Sequence, residues 1–243
     1  MKEEKIGILG YGQVGQAIAK FYKDPKVKDI NRDDGLIDVD ILHVCIPFSD
    51  QFISLVQEEI KNSHAKLTFI HSSVAPGTTQ QIGKTAVHSP IRGVHPNLYE
   101  GIQTFTKFIG ADSKKIGKLA KKHLKSLGIK KVKIAYPSVA TELGKLFDTT
   151  YYGLCIAWHA EMKKICDQFK VSFDDAVTDF NKTYNQGYKK LGKKNVIRPV
   201  LFYPQDNVIG GHCIIPNAHM IDKFFKSKAI DLILSYSKKD DKK

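Results

Sequence analysis

Through the first half of the chain, short apolar bursts alternate with stretches of helical spacing. Residues 5–9 form a compact apolar run that leads into a glycine loop, and 13–22 have helical spacing. Residues 27–31 and 40–47 read as strands, separated by only a brief polar link. Helical spacing returns over 50–61, where Phe52, Leu55, Val56 and Glu59 fall on its faces. Further strands are expected over 66–71, around Val87, over 107–111 and over 131–135. Residues 113–127 place Ile116, Leu119, Ala120, His123, Leu124 and Leu127 on one side of a helix. Strands alternating with helices predict an α/β fold, a doubly wound parallel sheet.

After Pro137 the pattern changes. Ser138 is expected as an N-cap, with Glu142 in the first helical turn. Leu143, Phe147, Thr150, Leu154, Trp158, Met162, Ile165 and Phe169 recur every three or four residues, which predicts one long helix. A second helix is expected over 172–191, an irregular stretch over 198–216 and a short helical tail. The reading is an α/β domain over 1–137 and an all-helical domain over 138–243.

Composition narrows the class. Apolar residues make up 42% of the chain, enough for a real core. No apolar run approaches the roughly 20 residues of a membrane helix. The chain enters a strand almost at once, with no signal-peptide pattern, so a cytoplasmic location is expected. The four cysteines, Cys45, Cys155, Cys166 and Cys213, form no C-x-x-C pair, so free thiols and no metal site are expected. The net charge of +13 comes largely from scattered lysines. Nucleic-acid binders concentrate arginine and exposed aromatics on one stripe, so the reading here is a solvated lysine surface. Its field attracts anionic cofactors and substrates.

The sharpest motif is Gly10-Tyr11-Gly12-Gln13-Val14-Gly15, which follows a strand and opens a helix. Gly10 permits a tight turn, Gly12 lets the backbone approach phosphates, and Gly15 allows close helix–strand packing. The helix N-terminus offers N–H groups and a positive dipole end to a pyrophosphate. A dinucleotide is therefore the expected ligand, NAD or NADP, with Pro47 at the end of the neighbouring strand also on its path. An acid at the end of the second strand suits a ribose hydroxyl, and an arginine suits a 2′-phosphate. Asn31 and Arg32 stand there, Asp33 and Asp34 follow, and Asp29 is the acid if the strand ends earlier. The choice between the two cofactors stays open at this point.

Three further segments resemble the nucleotide-sugar dehydrogenases: His71-Ser-Ser-Val-Ala-Pro-Gly-Thr-Thr79, Thr141-Glu-Leu-Gly-Lys-Leu-Phe-Asp-Thr-Thr150, and Gly210-Gly-His-Cys-Ile-Ile-Pro216. They occur in the family's order behind the glycine loop. The resemblance implies oxidation of an alcohol through a thiohemiacetal on cysteine, with Cys213 as nucleophile beside His212. It implies Lys145 as the lysine that stabilises an oxyanion, and Ser73 at the position that helps to hold water. Glu100, in Leu98-Tyr-Glu-Gly101, matches a family glutamate loosely. Two positions depart from the family: Thr149 replaces an asparagine and Asn217 replaces an aspartate. Asparagine cannot take a proton as a carboxylate does. The family also places a nucleotide-binding domain after the cysteine motif, and with 30 residues after Cys213 the expectation from the sequence is a pocket not completed by such a domain. The resemblance implies a homodimer built on the long helix.

Arg92 and His95 lie where ligands sit in open α/β sheets, and Arg92 is a candidate clamp for an anionic group. The His95-Pro96 pair also resembles prephenate dehydrogenases. Two alternatives therefore stand beside the first reading: a single-hydride dehydrogenase of a small anionic acid, and a non-catalytic dinucleotide-binding module.

Overall fold

The computed structural model describes residues 4–211 and 213–238. Two compact units divide the chain, Met1–Lys145 and Leu146–Lys243, with the division inside one long helix.

Unit 1 is built on an eight-stranded sheet of order β3-β2-β1-β4-β5-β6-β7-β8. The strands are β1 (Ile6–Leu9), β2 (Lys26–Asp29), β3 (Arg32–Asp33), β4 (Ile41–Val44), β5 (Leu67–Ile70), β6 (Ala86–His88), β7 (Lys107–Gly110) and β8 (Val132–Ala135). Five of the seven pairings are parallel. The β2–β3 and β6–β7 pairings are antiparallel, which corrects the wholly parallel expectation. For β3 the reason is length. Asp29 pairs with Arg32 across a two-residue turn, and a parallel crossover needs a dozen residues or more.

The helices of this unit are α1 (Gln13–Ala19), α2 (Phe52–Ser63), α3 (Thr78–Ile82), α4 (Leu98–Thr104) and α5 (Lys114–Ser126). Successive side chains on a strand point to opposite faces, and both faces are apolar here. Ile41, Leu67, Phe69 and Val87 pack with Ala17 and Ile18 of α1, Ile102 of α4 and Leu124 of α5. Leu42, Val44, Ile70 and Ala86 pack with Phe52 and Val56 of α2 and Ile82 of α3. That two-sided burial makes this a doubly wound, Rossmann-type sheet.

Helix α6 (Val139–Phe169) gives its first turns to unit 1 and the rest to unit 2. The Ser138 hydroxyl, just before that helix, donates to Asp112 Oδ2 at 2.8 Å. Unit 2 continues with a π-helical turn (Asp174–Thr178), α7 (Asp179–Lys190), α8 (Ile214–Asp222) and α9 (Lys228–Ser235). Its core joins Leu146, Ala157 and Ala160 to Ile214, Ala218, Ile221, Ile230 and Ile233. The irregular stretch expected up to residue 216 ends at Cys213 instead. Pro216 lies in the first turn of α8, where a missing N–H leaves no intrahelical bond unmade. Among the described residues no helix is long and apolar enough to cross a membrane.

Candidate active site

The glycine loop lies between β1 and α1. Gly10 has φ of 91°, in the left-handed region, and a Cβ there would stand 2.9 Å from the Cys45 backbone. A Cβ on Gly15 would be 2.0 Å from the Gly10 carbonyl oxygen, so only glycine lets α1 start this close to the strand. A Cβ on Gly12 would meet nothing within 4 Å. The loop is thus tight on the strand side and open at Gly12, which is the shape a dinucleotide pyrophosphate needs. By this test the residues fit the cofactor. Tyr11 and Val14 are half-buried, whereas Gly12 and Gln13 are exposed.

Strand β2 ends at Asp29, so Asp29 is the strand-end acid and Asn31 lies in the turn beyond it. Its carboxylate accepts from the backbone N–H groups of Tyr11 and Ile30, and these bonds hold it below the usual carboxylate range. Arg32 is exposed in β3 and is bound to Asp34, with Nη2 to Oδ2 at 2.6 Å. Its guanidinium also lies 5.1 Å from the Tyr11 ring centre. The arginine that the sequence offers to a 2′-phosphate therefore already has a carboxylate partner.

The other unit 1 candidates sit on segments that follow the strands. Pro47 is exposed, three residues beyond β4. His95 is exposed, and its Nδ1 hydrogen-bonds the Gln13 side chain, which joins it to the glycine loop. The Arg92 guanidinium stacks on the rings of Phe105 and Phe108, at 5.5 and 5.9 Å. Glu100 is exposed in the first turn of α4. Ser73 is half-buried on the segment after β5, next to Ser72, whose hydroxyl donates to the Ile46 carbonyl at 2.6 Å.

Two contacts tie that segment to the start of α6. His88 Nε2 donates to the Ser72 carbonyl at 3.1 Å, which leaves Nδ1 to accept from the Thr141 hydroxyl at 2.8 Å. Glu142 is buried, and its carboxylate accepts from Gly77 N–H at 2.6 Å, Thr79 N–H at 2.8 Å and the Thr79 hydroxyl at 2.5 Å. Burial nonetheless holds the Glu142 carboxyl above its usual value. Lys145, half-buried one turn on, adds a positive charge that helps to lower His88, which burial pulls down to about 3. Sequence reasoning missed Glu142 as a tie. Its signal was an acid in the first turn of the long helix.

Unit 2 carries Thr149, Cys213 and Asn217. Cys213 is exposed at the N-terminal boundary of α8, and its carbonyl accepts from Asn217 N–H at 3.1 Å. Ile214, the next residue, seats against Gly153 of α6, where a Cβ would stand 2.4 Å from Ile214 Cγ2. That contact fixes where α8 starts, and so where the thiol is presented. Asn217 is buried, and its Nδ2 has no partner among the described residues. His212 lies outside the described residues. Among the described residues no group of three or more His, Cys, Asp or Glu is arranged to hold a metal ion.

No established protein-family model matches the chain. It is 29% identical over 154 residues to UDP-N-acetyl-D-mannosamine dehydrogenase of Methanococcus maripaludis (strain C7), covering 61% of this chain and 33% of that protein. The protein of the same name from Methanococcus vannielii is 30% identical over 154 residues, with the same coverage. The chain thus spans about a third of the length of the curated relatives it matches.

Among solved structures, UDP-D-ManNAc dehydrogenase from Pyrococcus horikoshii superposes with a TM-score of 0.77 at 18% identity, covering 96% of this chain and 68% of that one. The Staphylococcus aureus UDP-N-acetyl-mannosamine dehydrogenase gives 0.71 at 19% identity, covering 96% and 67%. Mycobacterium tuberculosis 3-hydroxyisobutyrate dehydrogenase gives 0.66 at 12% identity, covering 96% and 91%. These likenesses show a shared fold. By sequence, the chain is similar to these UDP-N-acetyl-D-mannosamine dehydrogenases over 61% of its length.

Proposed function

We propose that this chain binds NAD and serves the oxidation of an alcohol on an anionic, sugar-like substrate. The observation that carries the reading is the glycine cradle, closed at Gly10 and Gly15 and open at Gly12. The sequence kinship supplies the reaction class. Asp29 at the end of β2, and Arg32 neutralised by Asp34, favour the free ribose hydroxyl of NAD over the phosphate of NADP. When bound, the dinucleotide supplies a hydride acceptor.

The chain's own residues then have these roles. The Cys213 thiolate adds to an aldehyde carbonyl, forming a C–S bond and placing a negative charge on oxygen. The Lys145 ammonium stabilises that oxyanion, and Ser73 positions the water that later cleaves the thioester. Arg92, His95 and Thr149 contact the substrate. Asn217 orients groups but takes no proton. Free thiols at all four cysteines suit a cytoplasmic setting. Phe147, Tyr151, Trp158 and Ile165 leave an exposed apolar row on α6, which serves a homodimer.

The test is NAD reduction with a panel of sugar nucleotides, sugars and hydroxy acids, comparing wild type with Cys213→Ala and Lys145→Ala. Turnover lost in both variants supports the thiohemiacetal route. Full turnover in Cys213→Ala rejects it and favours a single hydride transfer from a small acid. Asn217 already points that way, in a position where the resembled family has a carboxylate. Sedimentation of Trp158→Asp tests the dimer, since an unchanged dimer refutes the placement on α6.

A further inference from the structure

A continuous row of polar side chains crosses the apolar core of unit 1. His123 Nδ1 lies 3.0 Å from Glu4 Oε2, and His123 Nε2 lies 2.7 Å from the Tyr22 hydroxyl. The same hydroxyl is 2.7 Å from His43 Nε2, and His43 Nδ1 is 2.9 Å from His71 Nε2. At the far end, His71 Nδ1 is 2.8 Å from the Ser89 carbonyl and 3.4 Å from Lys107 Nζ. Lys107 Nζ also donates to the carbonyls of Ser89 and Pro90, at 2.6 and 3.0 Å. The three histidines and Lys107 are buried, whereas the Glu4 side chain is 56% exposed. Ile8, Ile41, Leu67 and Phe69 belong to the apolar cluster on this face of the sheet. Lys107, Ser89 and Pro90 lie at the carboxyl ends of β5 and β6, and Glu4 precedes β1 at the opposite edge.

Proton bookkeeping along this row leaves two arrangements, and the Ser89 carbonyl, 2.8 Å from His71 Nδ1, takes a proton from that ring only in the second. In the first, Lys107 is an ammonium that donates to both carbonyls and to His71 Nδ1. His71 then donates from Nε2 to His43 Nδ1, and His43 from Nε2 to Tyr22. Tyr22 donates to His123 Nε2, and His123 donates from Nδ1 to the Glu4 carboxylate. In the second, the bonds between Glu4 and His71 are reversed, and His71 Nδ1 turns from Lys107 to the Ser89 carbonyl. A protonated Glu4 donates to His123 Nδ1, and His123 Nε2 donates to Tyr22. Tyr22 donates to His43 Nε2, His43 Nδ1 to His71 Nε2, and His71 Nδ1 to the Ser89 carbonyl beside a neutral Lys107. Each neutral imidazole uses one donor and one acceptor in both states. The two states differ by one proton moved from nitrogen at Lys107 to oxygen at Glu4.

We propose that Lys107, His71, His43, Tyr22, His123 and Glu4 form a proton relay that carries a proton from the carboxyl ends of the strands to the surface at Glu4 without water. One N–H bond breaks at Lys107 and one O–H bond forms at Glu4. Each ring between them loses a proton on one side and gains one on the other, so no oxidant or co-reactant is needed. The surroundings poise the row for this. Burial pulls Lys107 down to about 7, against a raising effect from Cys45 and with a lowering one from Lys145. Burial keeps His43 and His71 neutral, with Lys107 and neighbouring histidines adding to the effect, His123 on His43 and His88 on His71. The same burial keeps the Tyr22 phenol protonated, with Glu4 and Cys45 adding to it. The relay does not depend on the reaction proposed above, although any reaction that releases a proton at this sheet edge would have an exit through it.

The test is solvent exchange of the Lys107 Nζ protons, read by NMR on the full chain with 15N-labelled lysine. Glu4→Gln keeps a surface acceptor for His123 but cannot relay a proton as a carboxylate does, and Tyr22→Phe cuts the row at its middle with little change in shape. Both variants are expected to slow exchange by about tenfold or more with melting transitions retained. Unchanged exchange in either variant overturns the relay.

Discussion

A Cβ on Gly15 would stand 2.0 Å from the carbonyl oxygen of Gly10, so the two glycines fix the distance between strand β1 and helix α1. Gly12, between them, faces open space. Substitutions in this loop should therefore separate. Gly15→Ala should cost about 1–3 kcal/mol of stability, as overpacking does. Gly12→Ala should stay within about 0.5 kcal/mol of wild type and yet bind NAD more weakly, because its methyl takes the space that phosphates need. Urea unfolding alongside NAD titration checks both, and equal stability losses in the two variants would contradict the assignment.

Arg32 is held by Asp34 and lies over the Tyr11 ring. Wild type should accordingly bind NAD more tightly than NADP. Asp34→Asn keeps an oxygen for the Val27 N–H that Asp34 accepts at 3.0 Å, but removes the charge that occupies Arg32. NADP affinity should then rise several-fold, on the order of 1 kcal/mol, while NAD affinity changes little. Fluorescence titration with both cofactors measures this, and an NADP affinity unmoved by the substitution would count against the role given to Asp34.

The buried bases of unit 1 set the pH dependence of stability. Burial lowers His88 from 6.5 to about 3 and Lys107 from 10.5 to about 7, and lowers His43 and His71 as well. Between each pair of values the unfolded chain holds the extra proton, so stability rises with pH and is lost as pH falls. For Lys107 the loss runs from 10.5 down through about 7, and for His88 from 6.5 down through about 3. Glu142 works in the opposite sense, because its raised carboxyl gives up stability as pH climbs from its ordinary 4.5. With these four bases, and His123 lowered by burial in the same sense, against one acid, the unfolding free energy at pH 8 should exceed that at pH 5.5 by at least about 2 kcal/mol. Denaturant melts at the two values check it, and a flat or inverted profile would refute it.

Gly153 and Ile214 form a second close approach, this one within unit 2. Gly153→Ala should cost about 1–3 kcal/mol and change the rate at which Cys213 reacts with a thiol reagent. Adding Ile214→Ala removes the clashing methyl. The double variant should therefore be more stable than the sum of the two single losses predicts. Strict additivity would mean that the contact does not position α8.

The sequence makes some of this legible and hides the rest for physical reasons. The glycine loop is readable because each glycine answers a local steric demand. Helix α6 is readable because its apolar period persists over 31 residues. The short elements β3, α3 and α4, of two, five and seven residues, carry too little pattern to be seen and are held by tertiary contacts. Apolar strand patterns carry no direction, which hides the antiparallel β6–β7 pairing. His43, His71 and His123 each look like a solitary core histidine, and only the fold brings them into one row. In sequence Arg32 reads equally as a phosphate clamp or as a partner of Asp33 or Asp34, and the β2–β3 turn brings it to Asp34.

The three bonds that Glu142 accepts from Gly77 and Thr79 bear on how a stand-alone dinucleotide-binding fragment should be cut. A fragment ending at the proline before α6 would lack that carboxylate and would leave two backbone donors and one hydroxyl of the Gly77–Thr79 turn without an acceptor. It would also lose Thr141, and with it the hydroxyl that His88 needs at Nδ1. A stand-alone fragment should therefore extend into the helix at least past Glu142, so that the helix's first turn acts as a built-in brace for the sheet.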